Sequence, residues 1–186
     1  MIEDKLAEAR FFLNKILEED KKEKPNLSAT AFYYSAFLSS SYSVFDYILY
    51  KANRVYNLGL QDEGHWDENK FLKEANEKNN KKAIDFANWF ISRKKIENGL
   101  SIGKVFSGCR RINVHKRPTY KIDVDPRVIT GPMETGPRGE IEYSIKVDPK
   151  ISLKVEGFEH MKLIDACKTY YSTIEKVVND ANEKLN

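Results

Sequence analysis

Arg110 and His115 have the residue types and the spacing that phosphate chemistry would require. A histidine that titrates near neutrality can take the 2′-hydroxyl proton of RNA or protonate the leaving oxygen. An arginine stays charged and can stabilise the phosphate in the transition state, and Asn113 between them could orient the ring or the phosphate. These three candidate catalytic residues suit RNA cleavage that uses no metal and no other cofactor.

The pair lies in a segment from which acidic residues are missing. Between Asn98 and Ile122 there are six basic residues and no acidic one, and we call this stretch the cationic segment. The chain has 31 Lys and Arg against 28 Asp and Glu, so without these six residues acidic side chains would be in excess and the net charge of +3 depends on this segment. We expect four of its basic residues to bind the RNA backbone by charge neutralisation: Lys104, Arg111, Lys116 and Arg117.

A simpler interpretation of the same residues is a solvated helix end. On a helix over residues 98–115, Lys104, Arg111 and His115 share a stripe apart from the apolar side. Basic residues in the last turn of a helix interact favourably with its macrodipole, whatever the protein does. Because short motifs often match by chance, spacing alone favours this interpretation.

Hydrophobic periodicity predicts a mainly α fold. We expect an up-down helical bundle with a small three-stranded antiparallel β insertion before the last helix. The predicted helices cover residues 3–19, 28–57, 67–78, 80–93, 98–115 and 159–185. The predicted strands cover residues 120–124, 141–147 and 151–155, with a turn at 148–150. These elements form one domain over residues 1–186, with the bundle in 1–117 and 158–186 and a β-meander in 119–156.

The second predicted helix is apolar on more than one side, which predicts burial on several sides through Phe32, Ala36, Phe37, Val44, Tyr47, Ile48 and Val55. Asp46 interrupts this apolar helix. A buried carboxylate needs a partner, and Arg110 is one candidate. The alternative is that Asp46 faces solvent or a tyrosine hydroxyl. Gly59 fits a C-terminal cap for this helix, and Asp67 fits an N-cap for the next one.

Composition bounds the remaining possibilities. The 186 residues are 41% hydrophobic, enough for a substantial core. The two cysteines, Cys109 and Cys167, lie far apart and lack metal-ligand spacing, which suits a reducing compartment. The acidic N-terminus does not resemble a signal peptide, and no apolar run is long enough to span a membrane. We therefore expect a cytoplasmic protein with no membrane partner.

The chain resembles the HEPN superfamily of small helical bundles, which occurs in prokaryotic toxins and in RNA-processing and defence proteins. The resemblance rests on an arginine, a polar residue, a few variable positions and a histidine near a helix end, here Arg110, Arg111 and His115. The helix around Ala36–Tyr47 and the closing helix from Tyr170 to Ala181 are also similar. It implies metal-independent endoribonuclease activity by Arg110 and His115, in a homodimer that brings two motifs together, with RNA as substrate. Toxin membership would add a protein partner such as an antitoxin.

Two hypotheses follow from the sequence. In the first, the protein is an RNA-binding HEPN-like domain, and whether it also cleaves RNA is left open. In the second, it is a non-catalytic protein-interaction or dimerisation module. Because many members of the family use the bundle only for binding, the resemblance does not decide between them.

Overall fold

The computed structural model describes the backbone of residues 2–23, 25–61, 66–99, 120–130, 134–135, 141–142, 145–155 and 158–186. Side chains are described for residues 2–23, 25–61, 66–94 and 162–186. The described part contains five helices: α1 (Ile2–Asp20), α2 (Leu27–Val55), α3 (Glu68–Glu77), α4 (Lys81–Gly99) and α5 (Leu163–Leu185). The prediction of a mainly helical chain is confirmed for this part.

Helices α1 and α2 form a helical hairpin around which the core is built. Helix α1 buries one stripe that includes Ala9, Leu13 and Ile16 against α2. Helix α2 starts at the N-cap Asn26, whose side-chain oxygen accepts a hydrogen bond from the Ala29 N–H at 3.0 Å. With 29 residues against 19 in α1, α2 extends about 15 Å beyond the start of α1. The exposed surface of this overhang therefore lies beside the first turn of α1.

The remaining helices pack on this hairpin. Helix α5 contacts α1, α2 and α4, and its 4-3-4-3-4 apolar stripe is buried from Leu163 to Ala181. The Phe37 ring of α2 meets the Tyr170 ring of α5 edge-on, with centroids 6.3 Å apart. Helices α3 and α4 form a second pair that closes the core through Phe71 and Phe90.

Asparagine residues end two of the helices in the same way. Asn57 follows α2 with a φ of 52°, and Asn79 follows α3 with a φ of 52°. In each case the N–H of the next residue bonds back across the helix end, Leu58 to the Asn53 carbonyl and Asn80 to the Ala75 carbonyl. This is the Schellman arrangement, which favours glycine or asparagine at the left-handed position. The prediction that Gly59 caps α2 is wrong, because Asn57 occupies that position.

The predicted fold class is wrong in its β part. The residues whose side chains are described lie in helices and their connections, and none of the three predicted strands falls among them. The backbone strands have other bounds: β1 (Tyr120–Thr130), β2 (Glu134–Thr135), β3 (Ile141–Glu142), β4 (Ile145–Val155) and β5 (Phe158–Lys162). Strand β4 pairs antiparallel with β1 and β5, while β2 pairs with β3 separately. Among the residues whose backbone is described, the three-stranded meander predicted for residues 119–156 is therefore not shown.

The predicted turn at 148–150 failed for an identifiable reason. The Asp148-Pro149-Lys150 sequence lies in the middle of β4, where Pro149 pairs with Pro126 of β1. Proline lacks a backbone N–H and cannot donate a hydrogen bond to the neighbouring strand. In an antiparallel sheet every second residue pair exchanges no hydrogen bonds, and two prolines can face each other at such a pair. Turn-forming residues thus occupy a continuous strand. The predicted strand over 141–147 is likewise divided between β3 and β4.

Two helix boundaries also differ from prediction. The last helix was predicted from residue 159, but Phe158–Lys162 forms β5 and α5 begins at Leu163. Helix α4 was predicted to end at residue 93 and continues to Gly99, because the intervening sequence contains no proline or glycine before the end. The division into domains stays a prediction.

Candidate functional site

The predicted catalytic and RNA-binding residues follow α4 in the chain. Arg110, Asn113 and His115 lie outside the described residues, as do Lys104, Arg111, Lys116 and Arg117. The structure describes what precedes and follows them: the backbone of α4 up to Gly99 and of β1 from Tyr120 onwards. Their roles therefore stay predictions.

The end of α4 that precedes the cationic segment is held by α5. The Arg93 guanidinium and the Asp180 carboxylate form an ion pair at 3.3 Å, and Lys184 lies 5.3 Å from the centre of the Trp89 ring. On its other side, the Lys94 ammonium contacts both carboxylate oxygens of Glu68, at 2.8 and 3.0 Å. Helix α4 is thus fixed to two neighbours within two turns of the point where the cationic segment starts.

Asp46 is exposed on the outer side of α2 and not buried among apolar residues. It lines a cavity of about 470 Å³ with Tyr50, Trp66 and Lys70. The reason for the difference is geometric: Val44, Phe45, Ile48 and Leu49 face the core, which leaves position 46 on the opposite side of the helix. Whether Arg110 pairs with Asp46 stays a prediction, since Arg110 lies outside the described residues.

Asp67 is confirmed as the N-cap of α3. Its carboxylate accepts hydrogen bonds from the backbone N–H groups of Lys70 and Asn69, at 3.0 and 3.1 Å. These bonds, led by that from Lys70, lower the pKa of Asp67 below its ordinary value. The neighbouring Asp62, Glu63 and His65 lie outside the described residues. Among the described residues, no three His, Cys, Asp or Glu side chains are grouped to hold a metal ion.

A second hollow opens where α2 extends past the start of α1, and we call it the overhang groove. It has a volume of about 500 Å³ and is bounded by the first turn of α1. Five residues of α2 complete its lining: Tyr47, Tyr50, Lys51, Arg54 and Val55. Their spacing of three and four residues places them on one face of the helix. The groove therefore combines an aromatic and aliphatic wall with two cations.

The residues of this groove were interpreted wrongly from the sequence. Tyr47 and Val55 were predicted to be buried, yet Tyr47 is 37% and Val55 is 48% exposed. Phe32, also predicted to be buried, is 64% exposed near the other end of α2. The signal that would have found the groove is the alternation of tyrosine with Lys51 and Arg54 at helical spacing, which a fully buried face would not contain.

Aromatic rings connect the groove to the core. The Tyr47 and Tyr50 rings meet edge-on with centroids 6.2 Å apart, and Tyr50 meets Trp66 edge-on at 4.9 Å. The Trp66 ring also contacts the ring of the buried Phe71, with centroids 6.3 Å apart. Its indole N–H donates a hydrogen bond to the Gln61 carbonyl at 3.0 Å. These contacts restrict the rings, so the wall of the groove is well defined before any ligand arrives.

Comparison with known proteins gives no further assignment. No protein-family model, curated protein or solved structure matches this chain. Within the described ranges, no helix is both long and apolar enough to cross a lipid bilayer. We therefore infer function from the residues themselves.

Proposed function

We propose that this protein is an RNA-binding, HEPN-like helical domain whose cationic segment contacts the RNA. The observation that carries the proposal is the concentration of six basic residues and no acidic one between Asn98 and Ile122. Lysine and arginine bind phosphates by releasing counterions, and such a cluster attracts a polyanion although the net charge of the chain is small.

The helix that precedes the cationic segment is held in place by ion pairs, which supports this proposal. Helix α4 leads into the segment and is fixed by the Arg93–Asp180 pair, at 3.3 Å, and by the Lys94–Glu68 pair, at 2.8 Å. A charged segment that leaves a fixed helix loses less conformational entropy when it binds a ligand than a free tail does.

The chemistry proposed for the site is metal-independent cleavage of the RNA backbone. His115 takes the 2′-hydroxyl proton, and the 2′-oxygen attacks the phosphorus to form a 2′,3′-cyclic phosphate. The bond to the 5′-oxygen breaks as that oxygen receives a proton from the protonated His115 or from water. Arg110 stabilises the charge on the phosphate, and Asn113 orients the ring or the phosphate. A homodimer would bring two such motifs to one RNA.

RNA binding is tested with a charge-matched pair of double variants. Arg110→Ala/Arg111→Ala and Lys81→Ala/Lys82→Ala each remove two positive charges, the second from the exposed start of α4. We expect only the first variant to weaken RNA binding and to reduce the slope of log K against log salt by about 1 to 2. Equal affinities of the two variants, measured by fluorescence anisotropy, would contradict the proposal.

Cleavage is tested separately in EDTA, where metal-dependent nucleases are inactive. We expect labelled RNA to be cut by the wild type and left intact by His115→Ala, with RNA affinity unchanged. If the wild type binds RNA but leaves it intact, the protein is a binding domain, and the proposed catalytic roles of Arg110, Asn113 and His115 are wrong.

A second candidate function, a protein-interaction module, is favoured by a different surface. Phe11 of α1 is 53% exposed, and Phe32 of α2 is 64% exposed and packs edge-on against Tyr33 at 5.8 Å. Large exposed aromatic side chains are enriched where proteins contact each other. This candidate predicts that Phe11→Ser/Phe32→Ser lowers the molar mass measured by light scattering or abolishes capture of a protein partner such as an antitoxin. Arg110→Ala/Arg111→Ala would change neither result.

A further inference from the structure

The overhang groove is a possible ligand site that is separate from the cationic segment. It is formed by described residues of α1 and α2, far along the chain from residues 98–122. Its volume of about 500 Å³ is in the range of small-ligand sites, which span about 300 to 1,000 Å³. A ligand is therefore sterically possible here, and the lining decides its chemistry.

The charge of the groove favours an anion. Lys51 and Arg54 line it, and Glu3 is the acidic residue among its described lining residues. The Lys51 ammonium donates a hydrogen bond to the neutral side-chain oxygen of Asn182 at 2.8 Å, which orients the ammonium and leaves its charge in place. The Lys5 ammonium lies 5.9 Å from the centre of the Tyr47 ring, but it is paired with the Glu8 carboxylate at 2.6 Å, so its charge is already balanced. Two cations, Lys51 and Arg54, therefore line the groove together with the exposed Tyr47 ring.

The aromatic wall favours a flat, conjugated group. Tyr47 is 37% exposed, and its ring is held by the edge-on contact with Tyr50 at 6.2 Å. Val55, two turns further along α2, extends the apolar surface and is 48% exposed. A tyrosine held in this way offers a platform at a low cost in side-chain entropy.

A nucleotide of single-stranded nucleic acid satisfies both requirements at once. Proteins that bind single strands combine a positive groove along the backbone with aromatic side chains on which bases stack. Bases in a duplex are already stacked on each other and cannot reach such a platform. We infer that the overhang groove binds one nucleotide of single-stranded RNA, with the base on Tyr47 and its phosphates against Lys51 and Arg54. This inference rests on the proposed RNA-binding function and adds a second contact to it.

The inference is tested with labelled single-stranded and duplex RNA and three variants of exposed aromatic residues. Tyr47→Ala removes the platform, Tyr47→Phe keeps the ring, and Phe32→Ala removes an exposed ring about 22 Å away on the same helix. Stacking on one aromatic ring corresponds to a change in affinity of about tenfold. We expect that loss for Tyr47→Ala with single strands only, and affinities within about twofold of wild type for the other two variants. Circular dichroism checks that each variant folds.

A second measurement does not depend on the fold of a variant. RNA that contains 4-thiouridine is photocrosslinked to the wild-type protein, and the modified peptides are identified by mass spectrometry. We expect crosslinks in the tryptic peptide that ends at Lys51 and in the cationic segment. A free mononucleotide at the same concentration should compete poorly, because it lacks the contacts with the cationic segment.

The outcomes separate this inference from the proposed function. If Arg110→Ala/Arg111→Ala weakens binding while Tyr47→Ala behaves like Phe32→Ala, the groove is not a nucleotide site and the proposed function stands. If Tyr47→Ala weakens binding while the arginine variant behaves like Lys81→Ala/Lys82→Ala, the groove is supported and the assignment of the cationic segment falls. If the wild type does not bind RNA, both are overturned.

Discussion

The Glu19 carboxylate, in the last turn of α1, accepts a hydrogen bond from the backbone N–H of Asn26, the N-cap of α2, at 3.1 Å. The same carboxylate is paired with Lys22 in the intervening turn. One side chain thus joins both ends of the connection between the two helices of the hairpin. Its own position is buried, which is unusual for a glutamate and requires these partners.

Stability should depend on pH through Glu19. Hydrogen bonds from Lys22 and from the Asn26 N–H lower the pKa of the Glu19 carboxyl in the folded protein. A lowered pKa contributes stability above the ordinary glutamate pKa, and that contribution is lost as pH falls through the folded value. We expect Glu19→Gln to lower the melting temperature near pH 7, and the difference from wild type to shrink on acidification. Glu18→Gln, at an exposed site beside Lys15, is the control. Equal effects of the two variants at all pH values would contradict this role.

At Asn57 and Asn79, which have a left-handed backbone, substitution by glycine and by alanine should change the free energy of unfolding differently. Asn57 has a φ of 52°, a conformation that costs an alanine about 1 kcal/mol relative to glycine. We expect Asn57→Ala to lower the free energy of unfolding by about 1 kcal/mol, and Asn57→Gly to be neutral or slightly stabilising. Urea denaturation measures both. The same pair of substitutions at Asn79, with the same φ, should give the same order.

Alanine substitutions of Phe37 and Phe32 should have very different effects on the free energy of unfolding, although both residues lie on α2. Phe37 is fully buried against Tyr170, whereas Phe32 is 64% exposed. Phe37→Ala should lower the free energy of unfolding by about 3 to 5 kcal/mol, because it leaves a cavity in the core. Phe32→Ala should change it by less than about 0.5 kcal/mol. Similar losses of unfolding free energy for the two variants, measured by urea denaturation, would mean that Phe37 and Phe32 are not on opposite, buried and exposed, sides of α2.

The ion pair between Lys94 and Glu68 should contribute more than the exposed pair between Lys73 and Glu77. The Lys94 and Glu68 side chains are only 18% and 20% exposed, and Lys94 also lies 5.9 Å from the centre of the Tyr42 ring. A double-mutant cycle with Lys94→Met and Glu68→Gln should give a coupling free energy of about 1 to 2 kcal/mol. The cycle for Lys73 and Glu77, 3.7 Å apart and exposed, should give about 0.3 kcal/mol.

Apolar periodicity predicted the described helices well where each helix presents a single stripe. The stripes of α1 and α5, and the Asp67 cap of α3, are found as the sequence indicated. The periodicity failed for α2, because an apolar residue such as Phe32 or Val55 is compatible with an exposed position, and only packing partners decide its burial. Asn79, with its left-handed backbone, separates α3 from α4.

Long-range features explain the remaining failures. The Pro149 turn was mispredicted because its strand partner, Pro126, is 23 positions earlier in the chain and no local pattern reveals the pairing. The overhang groove was missed because it depends on the difference in length between α1 and α2 and on where α1 begins beside Tyr47. The chemistry predicted for Arg110 and His115 does not depend on long-range contacts. It rests on the basic and acidic residues of the surrounding segment, which are counted directly from the sequence.

The contact between Tyr50 and Trp66 also has a spectroscopic consequence. The chain has two tryptophans: Trp66 lies edge-on against the groove residue Tyr50, with ring centroids 4.9 Å apart, and Trp89 lies beside Lys184. A Trp89→Phe protein would emit from Trp66 alone. Its fluorescence would then follow occupancy of the groove directly, without any label on the protein or on its ligand.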